Sequence, residues 1–112
     1  FALIWAAPPC STFSISRFFE SATSVDGGPP IVRTRTHIEG ERFVPAKHRA
    51  ELERANNIVV RTASLLLLAY RAGTQFVIEN PSDRGDLTKP KSFIHAEHGP
   101  LWLMPAVQAL AK

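Results

Sequence analysis

The spacing of hydrophobic residues changes along the chain, and the changes divide it into elements. Residues 1–7 form an uninterrupted apolar run that stops at Pro8-Pro9. A strand must end there, because proline has no backbone N–H to donate. A run that is apolar on every side is typical of a parallel strand covered on both faces. Residues 8–44 are irregular, and a connection of this length predicts a functional loop or a short helix within it.

A long helix is predicted next. Pro45 suits the first turn, no Pro or Gly interrupts residues 46–72, and Gly73 follows as a C-terminal cap. Charged residues gather in the first half, and the second half is nearly all apolar, so we expect the C-terminal half to pack on a sheet. Asn56-Asn57 indicates either a bend in the helix or a polar contact to the irregular loop of residues 8–44. The helical spacing is carried by Ala55, Ile58, Val59, Thr62, Ala63, Leu66, Ala69 and Tyr70.

A second strand is predicted over residues 75–78, where β-forming residues precede Glu79-Asn80-Pro81. Strand, helix and strand make a βαβ unit, whose two strands should be parallel with a right-handed crossover. Residues 82–100 are predicted to be a loop, and residues 101–111 a closing helix with Pro105 near its start. The predicted fold class is α/β.

Composition narrows the class of protein. A length of 112 residues allows one small domain, and 45% hydrophobic with 21% charged residues is typical of a globular chain. The net charge of +3 is compatible with a nucleic-acid partner without requiring one. The single cysteine excludes an internal disulfide and favours a reducing, intracellular location, in the cytoplasm or the nucleus. The longest apolar run, residues 63–69, is far short of the ~20 residues of a membrane span.

The start of the chain is apolar with no charged segment before it, which is unlike a signal peptide. We therefore expect the chain to be a piece of a longer protein.

The predicted topology places two candidate reactive side chains at one edge of the sheet. Ligands of open α/β sheets bind beyond the carboxyl ends of the strands, where Cys10 follows the first strand and Glu79 the second. A thiol there can act as a nucleophile, and a carboxyl group whose pKa is raised by burial can donate a proton. The histidines are interpreted as surface residues in loops or at the helix start. They give little support to a Cys-His hydrolase and show no metal-ligand spacing; they are His37, His48, His95 and His98.

Three stretches carry a resemblance to a known family: residues 8–14, residues 79–81, and Leu101-Trp102 with Pro105. The first two resemble motifs of the cytosine-C5 DNA methyltransferases, and the third resembles methyltransferase-like proteins of phages and mobile elements. Pro-Pro-Cys-x-x-Phe-Ser over residues 8–14 is similar to the family's catalytic Pro-Cys motif, and Glu79-Asn80-Pro81 to its Glu-Asn-Val motif. The resemblance implies a partial Rossmann-like sheet of the class I methyltransferases and a double-stranded DNA substrate. It also implies the cofactor S-adenosylmethionine and a cytosine flipped out of the duplex.

The resemblance also implies roles for individual residues. Cys10 would attack C6 of the flipped cytosine, Glu79 would contact N3, and the methyl group would then pass to C5. Pro8 and Pro9 would face the cofactor, and Asn80 would hold the turn that aims Glu79. Nucleic-acid contacts are implied for Ser11, Ser14, Arg17, Arg33, Arg35 and Asn80, with the arginines on phosphates.

This chain departs from the family pattern in four places, one of which is that the family's Arg-x-Arg motif is missing after Glu79. Ser11 stands where the family has Gln, Pro81 replaces Val, and the Gly-rich cofactor strand is missing from the chain. We therefore expect residues 1–112 to be the catalytic half of a methyltransferase-like domain, inactive on its own. The alternative is a non-catalytic, nucleic-acid-binding remnant of a methyltransferase from a mobile element. An amino-methyltransferase ranks last, because residues 7–10 lack its acidic and aromatic residues.

Overall fold

The computed structural model describes residues 2–18, 30–88 and 95–111. In these residues strand β1 spans Leu3–Ala6, helix α1 Ala46–Arg71, strand β2 Gln75–Ile78 and the short helix α2 Pro105–Gln108. Single turns of 3-10 helix lie at Ile15–Phe18, Leu101–Leu103 and Ala109–Ala111. The predicted α/β class is confirmed, and of the functional loop or short helix expected within residues 8–44, the turn at Ile15–Phe18 is a short helix.

The two strands pair in parallel, with Ala6 opposite Ile78 at their carboxyl ends, and α1 is the connection between them. After α1 the chain turns at Gly73, whose φ of +94° is in the left-handed region that glycine adopts without steric cost. The Thr74 N–H then donates to the Ala69 carbonyl at 2.9 Å and leads the chain into β2. The predicted parallel βαβ unit is therefore present.

Helix α1 buries one narrow stripe that follows the predicted helical spacing: Leu52, Ala55, Val59, Ala63 and Leu66. The helix runs unbroken through Asn56, whose side-chain amide donates to the backbone carbonyl of Glu39. Of the two interpretations of Asn56-Asn57, the contact to the loop is therefore the right one. The C-terminal turns are less covered than expected, since Leu65, Leu68 and Tyr70 are each more than half exposed.

The core lies between α1 and the loops rather than inside the sheet. One cluster of buried residues joins the loop after β1 to α1 and the closing segment: Phe13, Val59, Leu101 and Met104. A smaller cluster joins the loop before α1 to its first turns: Val32, Val44 and Leu52. The long irregular segments therefore supply much of the apolar surface that stabilises this fold.

One face of the sheet is open. Along β2 the exposed residues alternate with half-buried Phe76 and Ile78, as expected when α1 covers a single face. Leu3 is 56% exposed and Trp5 67%. The expectation of a first strand covered on both faces is thus wrong for the part of the chain described, because no described element lies on the second face.

No helix in the described ranges combines the length and the apolar character that crossing a membrane requires.

Candidate active site

The carboxyl ends of both strands meet at one edge of the sheet, as predicted. The Glu79 N–H donates to the Ala6 carbonyl at 2.9 Å, which extends the parallel ladder by one residue. The Asn80 side-chain amide then donates to the Pro8 carbonyl at 3.1 Å. These bonds hold the segment before Cys10 against the segment that carries Glu79.

Both candidate reactive groups are open to solvent. Cys10 is a free, exposed cysteine, and its carbonyl accepts the Phe13 N–H at 2.9 Å in a tight turn. Ser14 lies next in the chain, and its hydroxyl is 2.8 Å from that of Ser16. Glu79 is also exposed, so the burial expected around a proton-donating carboxyl group is not supplied by the described residues.

Arg33 contacts the loop that follows β1 and carries Cys10, residues 8–14, which we call the cysteine loop. Arg33 is only 1% exposed. Its guanidinium donates to the Ile38 carbonyl at 2.6 Å and to the Thr12 hydroxyl at 2.9 Å, and it stacks 3.8 Å from the centre of the Phe13 ring. No carboxylate of residues 2–18, 30–88 and 95–111 forms an ion pair with it. Burial lowers the pKa of Arg33 to about 10, helped by the nearby positive charge of Arg17. This buried position does not fit the phosphate contact predicted for Arg33.

Arg17 ties the cysteine loop to helix α1. It donates to the backbone carbonyls of Ser11 and Pro30, each at 2.8 Å, and forms an ion pair with Glu51 at 2.6 Å. The Ser11 hydroxyl donates to the same carboxylate at 3.2 Å. Burial alone would raise the pKa of Glu51, but the hydrogen bond and charge of Arg17 hold it below its usual value. The side chains of Arg17 and Ser11 therefore have internal partners.

Arg35 forms a two-pronged ion pair with Asp83, with nitrogen–oxygen distances of 2.7 and 2.8 Å. The hydrogen bond from Arg35 holds the pKa of the Asp83 carboxyl below its usual value and raises that of the guanidinium. The Arg35 backbone N–H also donates to the Glu97 carbonyl at 2.8 Å. Arg35 thus joins the loop before α1 to two parts of the loop after β2.

His98 is a structural residue that the sequence interpretation missed. It is 1% exposed rather than on the surface. Its Nδ1 accepts the Arg84 backbone N–H at 3.0 Å, so Nε2 carries the proton and donates to the Phe13 carbonyl at 2.7 Å. Burial lowers the pKa of His98, outweighing the opposite effects of the Phe13 carbonyl and the Asp83 charge.

A signal for this burial was available in the sequence. Gly99-Pro100 follows His98 and precedes the apolar segment that begins at Leu101. A side chain at Gly99 would lie 2.8 Å from the Thr34 carbonyl oxygen, so glycine permits this close approach.

A groove of about 310 Å³ lies beside the candidate nucleophile, lined by residues that flank it and by the exposed side of α1: Pro9, Ser11, Ala50, Glu51, Arg54, Ala55 and Ile58. Pro8 is buried, whereas Pro9 is exposed and forms one wall. Of the two prolines predicted to face a cofactor, Pro9 alone presents its ring to this groove.

Comparison of the chain with models of protein families, with curated proteins and with solved structures gives no match. The functional argument therefore depends on the two motifs and on the geometry that joins them.

Proposed function

We propose that this chain is the catalytic part of a Rossmann-like, S-adenosylmethionine-dependent DNA (cytosine-C5) methyltransferase domain. One observation carries the proposal: the parallel register of β1 and β2 brings Pro8-Pro9-Cys10 and Glu79-Asn80-Pro81 to the same sheet edge. The hydrogen bond from Asn80 to the Pro8 carbonyl ties the two motifs together. Neither motif alone would support the proposal as well as the pair does.

The chemistry follows from the two exposed side chains. The Cys10 thiolate adds to C6 of a cytosine, and the S–C6 bond forms as the C5–C6 double bond opens. The electron pair moves through the ring, and a proton held between the Glu79 carboxyl group and N3 of the base compensates the negative charge. C5 thereby becomes nucleophilic. Because the C5–C6 edge is unreachable within a stacked duplex, the base must be flipped out to meet Cys10.

The described residues do not form a complete site for S-adenosylmethionine. The cofactor carries charged and hydroxyl groups; of the two charged residues that line the groove beside Cys10, Glu51 is already paired with Arg17, which leaves Arg54. When bound, the cofactor would supply the methyl group that C5 accepts. We therefore assign this chain the nucleophile and the base contact, and we assign the cofactor site to residues outside those described.

The proposed partner is double-stranded DNA, and an enzyme that acts on it would work in the cytoplasm or nucleus. A lone reduced cysteine suits that setting.

The proposal is tested with the full-length protein that contains this chain. It is incubated with duplex DNA containing 5-fluorocytosine and with labelled S-adenosylmethionine. Fluorine at C5 blocks the elimination that releases the enzyme, so a covalent protein–DNA adduct carrying the label should resist denaturant. Cys10→Ser should abolish the adduct, and Glu79→Gln should lower its rate. Ser16→Ala, which alters a neighbouring exposed hydroxyl, is the matched control and should form the adduct normally.

The outcome decides between the enzyme and its alternative. No adduct from a folded protein that still binds the DNA would refute the enzyme and favour the non-catalytic, nucleic-acid-binding remnant. An adduct that survives Cys10→Ser would refute Cys10 as the nucleophile.

A further inference from the structure

The exposed side of α1 carries a row of cationic and amide side chains. Lys47, Arg54, Asn57 and Arg61 follow one another at intervals of seven, three and four residues, and all four are exposed. These intervals place the side chains on one side of a helix. This row lies on a different side of α1 from the stripe of buried residues that packs on the core.

The arginines of this row form no ion pair with the described residues, whereas the loop arginines have internal partners. Arg17, Arg33 and Arg35 direct their guanidinium groups to internal partners. No ion pair of the described residues involves Arg54 or Arg61. Among the described residues, Arg54 and Arg61 on α1 therefore offer positive charge that no ion pair of the chain neutralises.

Two neighbouring hollows lie between this row and the loop that carries the candidate nucleophile. The hollow beside Pro9 and Ser11 shares Ala50, Arg54 and Ile58 with a second hollow of about 360 Å³ that reaches Asn57 and Arg61. Glu53 is the acidic residue among those that line the second hollow. A strand of nucleic acid with one base at Cys10 would pass its neighbouring backbone over Arg54.

We propose that Arg54 and Arg61 bind backbone phosphates of the DNA strand that flanks the target cytosine, with Asn57 between them and Lys47 at one end of the row. The inference rests on the proposed function for the position of the base. The seven-residue interval separates the two arginines by about 10 Å along the helix axis. Along B-DNA each strand carries one phosphate per ~3.4 Å of axis, so the arginines reach phosphates about three nucleotides apart. The contact is independent of base sequence.

The test measures duplex DNA binding by the full-length protein at several salt concentrations, using fluorescence anisotropy. Arg54→Gln and Arg61→Gln should each weaken binding to all sequences alike. Each should also reduce the slope of log K against log salt by about 0.9, and the double variant by about 1.8. Arg71→Gln removes the same charge at the far end of α1, which leads into the opposite edge of the sheet, and should leave the slope unchanged.

A gain-of-charge variant keeps the test decisive if the double variant is unstable. Asn57→Lys adds a cation to the exposed row and should steepen the slope by about 0.9. Wild-type slopes in Arg54→Gln, Arg61→Gln and Asn57→Lys would overturn the inference.

The two proposals can fail separately. An adduct through Cys10 with unchanged slopes refutes the phosphate surface alone. Reduced slopes without any adduct refute the enzyme and support the α1 surface as part of a DNA-binding protein. A folded protein that shows no DNA binding refutes both.

Discussion

The buried guanidinium of Arg33 gives the strongest prediction about stability. Burial, with the nearby charge of Arg17, lowers the pKa of Arg33 to about 10, which means that these surroundings cost the charged form about 3 kcal/mol. The hydrogen bonds to Thr12 and Ile38 and the stacking on Phe13 offset this cost. Arg33→Met removes the cost and the compensating contacts together, and it leaves two buried acceptors without a donor.

The expected loss follows from those two acceptors. An unsatisfied buried polar group costs about 1–3 kcal/mol, so Arg33→Met should lower the free energy of unfolding by about 3 kcal/mol. Thr12→Val removes one of the orphaned acceptors. The double variant Thr12→Val/Arg33→Met should therefore be more stable than the two single losses added together imply, by about 1–2 kcal/mol.

The measurement is urea unfolding followed by circular dichroism and by tryptophan fluorescence. Trp102 packs against the Phe13 cluster and reports its loss, whereas Trp5 is already 67% exposed. Arg42→Met, at an exposed position of the same loop, is the matched control and should change stability by less than about 0.5 kcal/mol. An Arg33→Met variant as stable as the wild type would show that the guanidinium does not hold the loop in place. Losses of unfolding free energy that simply add in the double variant with Thr12→Val would show the same.

Three further predictions concern the loops around the site. Gly99→Ala should destabilise the chain by more than about 2 kcal/mol in urea unfolding, because its Cβ would lie 2.8 Å from the Thr34 carbonyl oxygen; a wild-type midpoint would contradict the close approach. Since burial lowers the pKa of His98, the unfolded chain binds its proton first as the pH falls below about 6.5. Stability should be fully present above that pH and should decline below it, and His98→Gln should flatten this part of the stability–pH profile; an equally steep profile would exclude His98 as the cause. Asn80→Ala should cost about 1 kcal/mol through the lost bond to Pro8 and should slow adduct formation by the full-length protein; an unchanged adduct rate would mean that the turn does not aim Glu79.

The sequence was sufficient for the βαβ unit because that information is local. Pro45 and Gly73 bound the helix, and the spacing from Ala55 to Leu66 defines its buried stripe. The meeting of Cys10 and Glu79 at one edge follows from topology alone, since parallel strands end on the same side. These inferences need no knowledge of side-chain packing.

The predictions that failed depend on contacts between distant loops. The resemblance implied a phosphate contact for Arg33, and arginine is rarely buried without a carboxylate partner. Its partners are Thr12 and Ile38, whose spatial approach no local pattern reveals. His98 is hydrogen-bonded to residues more than ten positions away, and the adjacent Gly99-Pro100 was the local sign of its burial. Whether both faces of β1 are covered depends on elements outside the βαβ unit, which the residues of the strand do not specify.

The cross-links around His98 have a consequence for motion. Its imidazole connects the Phe13 carbonyl to the Arg84 amide, and the Trp102 indole donates to the Pro81 carbonyl at 2.9 Å. The segment after Cys10 and the segment after Glu79 are therefore joined through the closing part of the chain, as one cooperative unit. The Arg84 amide, although it lies in a loop, should exchange with deuterium only when this whole unit opens. Thermal opening would then separate the nucleophile and the carboxylate in a single event.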